Sequence, residues 1–268
     1  MEFARGGRML ERLAGTASGG GGSRPPARWT TRRAGRDPWK AGEAGDQAWL
    51  RKPAPSLARE ALQHALLFPA ARVLARPRVI GAEGLMHTPQ PAVLAPNHES
   101  DLDTPLVLLA LPRAWRSRTV VGAASDRFYR DRLHAISSAL WINTFPFDRV
   151  AGERRGLALA ASFLRDDHNV LLYPQGTRGA GPEGFRLGVA ELCITTRAPL
   201  IPIHVGGSAL IMPKGRGLDR RGTTTVTFSP PLYPRAGETP AQLTGRLSAA
   251  IDALAGVSSR RRAAGVAT

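Results

Sequence analysis

Cysteine is nearly absent from this sequence, whose 268 residues include only Cys193. A single cysteine excludes an internal disulfide framework and a cysteine-rich metal site, and it is typical of a reducing compartment. Cys193 lies in the apolar stretch from Val189 to Ile194. We therefore interpret it as a buried structural thiol rather than as a nucleophile.

Aromatic residues and negative charges are also scarce. Phe, Trp and Tyr make up 6% of the chain, while the net charge is +16 and the pI is about 11.5. This positive charge predicts an anionic partner, which is a nucleic acid, a membrane surface or a phosphorylated substrate. Few side chains are present to stack on bases, and the sequence has no zinc-finger, helix-turn-helix or RNA-recognition motif. A specific nucleic-acid partner is therefore the weakest of the three.

No stretch reaches the ~18 consecutive apolar residues of a membrane-spanning helix. The best candidate, residues 57–74, is interrupted by Arg59, Glu60, Gln63, His64, Pro69 and Arg72. The amino terminus shows no secretory pattern, because its basic residues lead into a glycine-rich segment rather than an apolar one. We expect a cytoplasmic protein that is peripherally associated with the inner face of the cell membrane.

Composition divides the chain into four segments. Residues 1–46 are rich in Gly, Arg, Ala and Pro without a sustained apolar period, which predicts a disordered basic tail. Residues 47–77 are predicted to form an amphipathic helical region and residues 78–256 a folded domain. Residues 257–268, which include three consecutive arginines, are predicted to be a second basic tail.

The helical region is predicted to begin near Ser56 and to have two distinct faces. Its apolar face contains Leu57, Ala61, Leu62, Ala65 and Leu66. Its polar face contains Arg59, Glu60, Gln63 and His64. Pro69 is expected to end or kink the helix. We expect the apolar face to pack on the core of the domain. The alternative is an interfacial membrane helix that places Arg72, Arg76 and Arg78 near the lipid headgroups.

Strand and helix patterns alternate from residue 78 onward. Strands are predicted at residues 78–80, 93–95, 119–121, 143–147, 170–173, 200–203 and 223–228. Helices are predicted at residues 104–111, 157–164 and 240–254, the last with an apolar stripe of Leu243, Leu247, Ile251 and Leu254. This alternation indicates an α/β fold whose central, mostly parallel mixed sheet is flanked by helices.

The stretch from Asn97 to Pro105 directly follows one of these strands. Pro105 suits the first turn of a helix. On one continuous helix His98 and Asp103 would lie on different faces, so a loop before the helix is needed for them to meet. A carboxylate that accepts a hydrogen bond from one imidazole nitrogen leaves the other nitrogen available as a general base. Such a pair has no serine nucleophile, so the attacking group would be a hydroxyl of the substrate.

Spacing alone leaves other interpretations of this stretch open. Asp103 or Thr104 can cap the orphan amides at the start of the helix instead. Ser100 and Asp101 compete with Asp103 as local partners of His98.

A second informative stretch, residues 173–179, also follows an apolar strand. Gly176 and Gly179 permit close approach of the backbone. Thr177 can donate a hydroxyl, and Arg178 can hold a phosphate through two parallel hydrogen bonds.

Together, the two stretches resemble the glycerophospholipid acyltransferase family, whose best-known members are the lysophosphatidic acid acyltransferases. The His-x4-Asp block of that family matches His98 and Asp103, which favours Asp103 over Asp101. The block usually written Phe-Pro-Glu-Gly-Thr-Arg-Ser matches residues 173–179.

Two further family blocks occur in the right order. An aromatic residue two positions before an arginine matches Phe147 and Arg149, and a Val-Pro-rich strand matches residues 199–203. Phe185-Arg186-Leu187-Gly188 stands where the family often has Phe-Lys-x-Gly. The resemblance covers roughly residues 78 to 235.

The resemblance implies that the folded segment, residues 78–256, is a single acyltransferase domain. It implies that His98, oriented by Asp103, takes the proton from a glycerol hydroxyl as that hydroxyl attacks an acyl thioester. The donor would be acyl-coenzyme A or an acylated carrier protein, and neither a metal, a further cofactor nor a covalent acyl-enzyme is needed. The expected acceptor is 1-acyl-sn-glycerol-3-phosphate, which would give phosphatidic acid at an anionic membrane surface.

The resemblance also implies an acceptor site. Arg178 and Arg149 are expected to bind the phosphate of the acceptor, while Gln175, Gly176 and Thr177 shape the same site. Gln175 departs from the family, which has glutamate most often at this position. Glutamine loses the charge and gains an amide donor. The alternatives are therefore an acyltransferase for a different amphipathic acceptor and a non-catalytic protein that binds anionic lipid.

Overall fold

The computed structural model describes residues 52–124, 132–147, 153–176 and 184–266. The helices are α1 (Pro53–Leu62), α2 (Phe68–Ala75), α3 (Asp103–Ala110), α4 (Arg113–Arg116), α5 (Arg132–Ile142), α6 (Glu153–Arg165), α7 (Gly188–Thr196) and α8 (Pro240–Val266). The strands are β1 (Arg78–Ile80), β2 (Val93–Pro96), β3 (Thr119–Ala124), β4 (Thr144–Phe147), β5 (Asn169–Leu171), β6 (Leu200–Gly206) and β7 (Thr225–Phe228). A π-helical turn, Gln63–Leu67, joins α1 to α2.

The strands form one sheet in the order β1-β7-β6-β2-β5-β3-β4. Every pairing is parallel except that of β6 with β7, which is antiparallel. The predicted α/β fold with a mostly parallel mixed sheet is thus confirmed. One edge of the sheet collects the carboxyl ends of β2 to β6 together with the amino ends of β1 and β7. We call it the carboxyl edge, and the opposite one the amino edge.

Hydrophobic cores cover both faces of the sheet. In β2, Val93 and Ala95 face a core shared with α6, α7 and α8, whereas Leu94 faces a core shared with α2 and α3. This alternation is the period of two expected of a strand buried on both faces. Cys193 is fully buried in the first core, where burial raises the pKa of its thiol. The cysteine is therefore a structural thiol, as the sequence predicts.

Helix α8 buries the predicted stripe of Leu243, Leu247, Ile251 and Leu254. It runs on to Val266, however, so the prediction of a separate basic tail from residue 257 is wrong over these residues. The extension is anchored by Ser258, which is fully buried and hydrogen-bonds to His204 and Thr227 at 3.0 Å each. Arginine and alanine, which dominate the residues that follow, are good helix formers.

The buried faces of α1 and of the π-helical turn that follows it are not those predicted. Arg59 and Gln63 are buried against the domain, whereas Leu57 and Leu66 are 65% and 55% exposed. The prediction that the apolar face packs on the core is therefore wrong for this helix. The cause is a pair of hydrogen bonds to the last turn of α5, since Arg59 Nε donates to the carbonyl of Ala139 at 3.0 Å and Gln63 Nε2 to that of Trp141 at 2.9 Å.

Pro69 neither ends the helical path nor stands in a helix interior. The backbone N–H of Phe68 donates to the carbonyl of Gln63, five residues back, and this wide turn places Pro69 in the first turn of α2. A proline is tolerated there because its missing N–H is not needed. The turn also rotates the helix, so that Phe68, Ala71 and Ala75 become buried.

Across the part of the chain described, no helix combines the length and the apolar composition that crossing a membrane requires.

Candidate active site

His98 and Asp103 meet at the carboxyl edge of the sheet. His98 lies two residues beyond β2, and Asp103 is the first residue of α3. The chain turns between them, and His98 Nδ1 lies 2.9 Å from Asp103 Oδ2. Asp103 is fully buried, whereas the side chain of His98 retains 13% exposure. The loop that the sequence requires is therefore present, and it presents the imidazole at the surface of a buried carboxylate.

Asp103 also holds the loop itself. Its Oδ2 accepts the backbone N–H of Glu99 at 2.7 Å and that of Ser100 at 2.8 Å, in addition to His98. The residue preceding α3 is Leu102, and the start of the helix has no side-chain cap. Asp103 is thus not a helix cap, and it binds groups that lie before the helix. Its second oxygen, Oδ1, is buried without a hydrogen-bond partner among the described residues.

Tyr173 braces the imidazole from one side. It follows β5, the strand next to β2, and its ring stacks on that of His98 with 3.9 Å between centroids and 22° between planes. The Tyr173 hydroxyl hydrogen-bonds to Thr104 Oγ1 at 2.6 Å, next to Asp103 in the chain. Burial and, to a smaller extent, the charge of Asp103 raise the pKa of Tyr173, so its hydroxyl stays protonated and able to donate.

Gln175 reaches the same histidine through the backbone. Its side chain is buried, and its Oε1 accepts the backbone N–H of His98. A glutamate would offer an acceptor of the same length at this place. In this structure, therefore, Gln175 supports the histidine loop.

Asn97 fixes the start of that loop to the neighbouring strand β6. Its Nδ2 donates to the carbonyl of Val205 at 3.1 Å, and its Oδ1 accepts the N–H of Val205 at 2.6 Å. Ser100 fixes the other end, since its hydroxyl donates to the carbonyl of Met212 at 2.7 Å. Both ends of the loop are thus tied to the β6 side of the carboxyl edge.

A cavity of about 530 Å³, counted with its open mouth, lies beside His98. Its lining includes His98, Gly176 and Arg186, together with the apolar side chains of Ala124, Phe147, Leu172 and Val189. A cavity that combines a few polar groups with an apolar lining suits a substrate that carries a polar reacting group on an apolar chain.

Gly176 and Arg186 are packed on each other at the mouth of this cavity. Gly176 has φ +64°, and a Cβ atom there would lie 2.9 Å from Arg186 Nε. The backbone N–H of Arg186 also donates to the carbonyl of Pro174 at 2.8 Å. In this structure the side chain of Arg186 lies against the backbone of Gly176.

Three predicted site residues, Arg149, Thr177 and Arg178, lie outside the described residues. Their roles stay predictions. Where the structure does describe the chain, no three His, Cys, Asp or Glu side chains gather in a group that could hold a metal ion.

Several residues of this site carry no predicted role. They are Asn97, Thr104 as a partner of Tyr173, Tyr173 as a stacking partner, and Arg186. Asn97 is the first residue of the first informative stretch, and Arg186 belongs to the Phe185–Gly188 block that resembles Phe-Lys-x-Gly. These positions are the signals that the sequence offers for the two residues.

The fold and this geometry describe an α/β domain with a histidine–aspartate pair at the carboxyl ends of its parallel strands. Residues 76–206 belong to the Acyltransferase family, because they match the sequence model of that family. The resemblance to the glycerophospholipid acyltransferases is thereby confirmed, and the chain carries an acyltransferase domain. A comparison with curated proteins found no match.

Among solved structures, the fold is similar to the crystal structure of the 1-acyl-sn-glycerophosphate (LPA) acyltransferase PlsC from Thermotoga maritima. The two share 19% sequence identity with a TM-score of 0.57, and the match covers 77% of this chain and 80% of that one. At this identity the similarity shows the fold alone.

Proposed function

We propose that this protein transfers a fatty acyl group from an acyl thioester to the free hydroxyl of a lysophospholipid, with 1-acyl-sn-glycerol-3-phosphate as the acceptor and phosphatidic acid as the product. The observation that carries the proposal is the contact of 2.9 Å between His98 Nδ1 and Asp103 Oδ2 beside a cavity that is lined in part by apolar side chains. Because Nδ1 donates to the carboxylate, Nε2 is the ring nitrogen left to accept a proton.

The reaction then follows from the pair. The acceptor hydroxyl attacks the thioester carbonyl carbon, and its proton passes to His98 Nε2. The tetrahedral intermediate collapses as the C–S bond breaks, and the leaving sulfur takes the proton back from the imidazolium. Asp103 stabilises the transient positive charge and keeps the ring in one tautomer. The stacked Tyr173 limits rotation of the ring about the Cβ–Cγ bond of His98.

The acceptor assignment is supported by the position of Gln175. Its side chain accepts the N–H of His98, as a glutamate would, so the departure from the family block affects the histidine loop directly. A change of acceptor is therefore not required to explain it. We infer that Arg149 and Arg178 bind the acceptor phosphate, and we expect Gln175→Glu to retain or raise activity on lysophosphatidic acid. A fall in that activity with a gain on another acceptor would favour the alternative acceptor instead.

We also propose that the protein works at an anionic membrane surface. The helical segment from α1 to α2 exposes Leu57, Leu66 and Val73, and Arg116 of α4 hydrogen-bonds to the exposed His64 of the same segment at 3.0 Å. Apolar side chains bordered by cations suit the interfacial region of a bilayer. A salt-dependent requirement for anionic lipid in vesicle binding would support this placement.

The direct test is thiol release from acyl-coenzyme A, and separately from an acylated carrier protein, with a panel of acceptors. Wild type should release thiol with lysophosphatidic acid, and His98→Ala should reduce the rate to background. His87→Ala is the matched control, because His87 is exposed on the 3₁₀ turn at Ala82–His87. Lipid binding without product in wild type, unchanged in His98→Ala, would show a non-catalytic lipid-binding protein and contradict the proposal.

A further inference from the structure

The connection between β6 and β7 exposes apolar side chains to solvent. We call residues 207–222 the 207–222 loop. Leu210 and Leu218 are 58% and 51% exposed, and every residue from 214 to 221 is exposed. Ile211 of the same loop is buried in the core, and Met212 packs against that core. Leu210 and Leu218, in contrast, keep more than half of their surface exposed to solvent.

The same loop is strongly basic. It contains Lys214, Arg216, Arg220 and Arg221 against Asp219, which is four positive charges less one negative, a net charge of +3. Arg220 Nε donates to the carbonyl of Leu210 at 2.9 Å. This bond keeps a guanidinium beside one of the exposed leucines.

The loop lies at the carboxyl edge, between the histidine loop and α2. On one side the Ser100 hydroxyl donates to the carbonyl of Met212 at 2.7 Å. On the other side the N–H of Gly222 donates to the carbonyl of Leu74 at 2.9 Å. The loop thus adjoins α2, whose Val73 is exposed, at one end and the loop that carries His98 at the other.

We propose that the 207–222 loop is a bilayer contact in its own right, which seats the carboxyl edge on an anionic phospholipid surface. Its two leucines would enter the interfacial layer, while its cations contact the headgroups. The inference rests on the proposed function, since a lysophospholipid acceptor resides in such a surface. An acidic carrier protein would meet the same charges, but the exposed leucines of the loop and the exposed Val73 of the adjoining α2 favour the bilayer.

The test compares binding of the full chain to vesicles of phosphatidylcholine alone and of phosphatidylcholine with phosphatidylglycerol. One variant, Leu210→Ser with Leu218→Ser, removes the apolar contact. A second, Arg216→Gln with Arg221→Gln, removes two charges. These side chains are exposed, so neither variant should impair folding, and a thermal melt verifies this.

The matched controls lie at the amino edge. Met86→Ser replaces a side chain that is 71% exposed on the turn after β1. Arg118→Gln with Arg197→Gln removes two exposed charges that precede β3 and β6. Equal weakening by controls and loop variants would show that only overall charge and hydrophobicity matter, which would overturn the proposal.

The two loop variants should weaken binding to the mixed vesicles by different routes. The charge variant should lose roughly 30-fold in affinity at low salt, and the loss should shrink as salt is added. The leucine variant should lose about 10-fold, with little dependence on salt. Unchanged binding in both variants would contradict the proposal. So would unchanged vesicle binding together with a raised apparent KM for an acylated carrier protein, because the loop would then be a protein-docking site.

Turnover of a dispersed short-chain lysophospholipid separates this inference from the proposed function. If the loop acts through the bilayer, the loop variants should match wild type on the dispersed acceptor and fall behind it on vesicles. If wild type turns over neither form, the proposed function fails, and vesicle binding alone still decides the role of the loop.

Discussion

Buried polar side chains occur at both α1 and the histidine loop, but the two regions pair them in different ways. Arg59 and Gln63 donate to separate carbonyls at the end of α5. Asp103, by contrast, receives three donors on Oδ2, while Oδ1 has none among the described residues. A buried acceptor without a partner costs about 1–3 kcal/mol. In the first region the polar groups attach a helix to the domain. In the second region one carboxylate oxygen lacks a partner, and the other orients a histidine beside a cavity.

The two regions should therefore respond differently to substitution. In α1 the hydrogen bonds hold a helix in place, so their loss should lower the free energy of unfolding. At the histidine loop they orient a reacting group, so their loss should lower turnover far more than stability.

The largest effect is expected from His98→Ala. Loss of a general base should lower turnover on the order of 10²–10⁴-fold, because no other histidine is among the described residues that line the cavity. The midpoint of thermal unfolding should stay close to that of wild type, since the ring is at the surface of the buried pair. Thiol-release kinetics and a thermal melt on the same preparation measure both quantities. A large drop in stability with modest loss of turnover would reverse the distinction.

Asp103→Asn should lower turnover almost as much, on the order of 10²–10³-fold. An amide carries no negative charge to stabilise the imidazolium, and an NH₂ group that faces His98 cannot accept the Nδ1 proton, so the ring loses its fixed tautomer. Asp101→Asn is the control, because the histidine is bonded to Asp103. Equal losses of turnover in Asp103→Asn and Asp101→Asn would mean that the negative charge of the loop matters, rather than the hydrogen bond between Asp103 and His98.

Arg59→Ala should act on stability instead. It removes a charge-assisted hydrogen bond to the carbonyl of Ala139, which keeps only its bond from the N–H of Asn143, so the free energy of unfolding should fall by about 1.5–3 kcal/mol. Leu57→Ala is the control in the same helix, and because Leu57 is exposed the change should stay within about 0.5 kcal/mol. Urea unfolding gives both values. A larger loss from Leu57→Ala would mean that α1 packs by its apolar face after all.

Tyr173→Phe is expected to have the smallest effect. It keeps the stacked ring and removes the hydroxyl bonded to Thr104, an interaction worth about 0.5–1.5 kcal/mol. The apparent kcat should fall a few-fold with little change in KM. Thr104→Val should produce a similar fall, and the double variant should be no worse than either single one. Additive losses would show that the two hydroxyls act separately.

The sequence predicts well what depends on neighbouring residues. The strands, the apolar stripe of α8 and the burial of Cys193 all follow from local periodicity and composition, and the structure has them in place. The meeting of His98 and Asp103 is equally local, since the two are five residues apart on one short loop.

What the sequence does not predict depends on distant backbone groups. Arg59 is buried because its acceptor is a carbonyl 80 residues away, and no pattern within α1 reveals it. Tyr173 and His98 stack because β5 lies next to β2 in the sheet, an order set by the packing of the whole domain. Amphipathic spacing therefore identifies α1 as a helix without telling which of its faces is buried.

The order of the strands has a last consequence, at the two outer margins of the sheet. β1 is only three residues long, and β4 contains Pro146, which has no N–H to donate. Short or proline-interrupted margins are poor templates for an incoming strand, and natural sheets use both to avoid fibril-like growth. Copies of this protein that meet in a crowded solution should therefore associate through their side chains. The outer strands should not pair with strands of another copy, so the sheet should not extend from one molecule into the next.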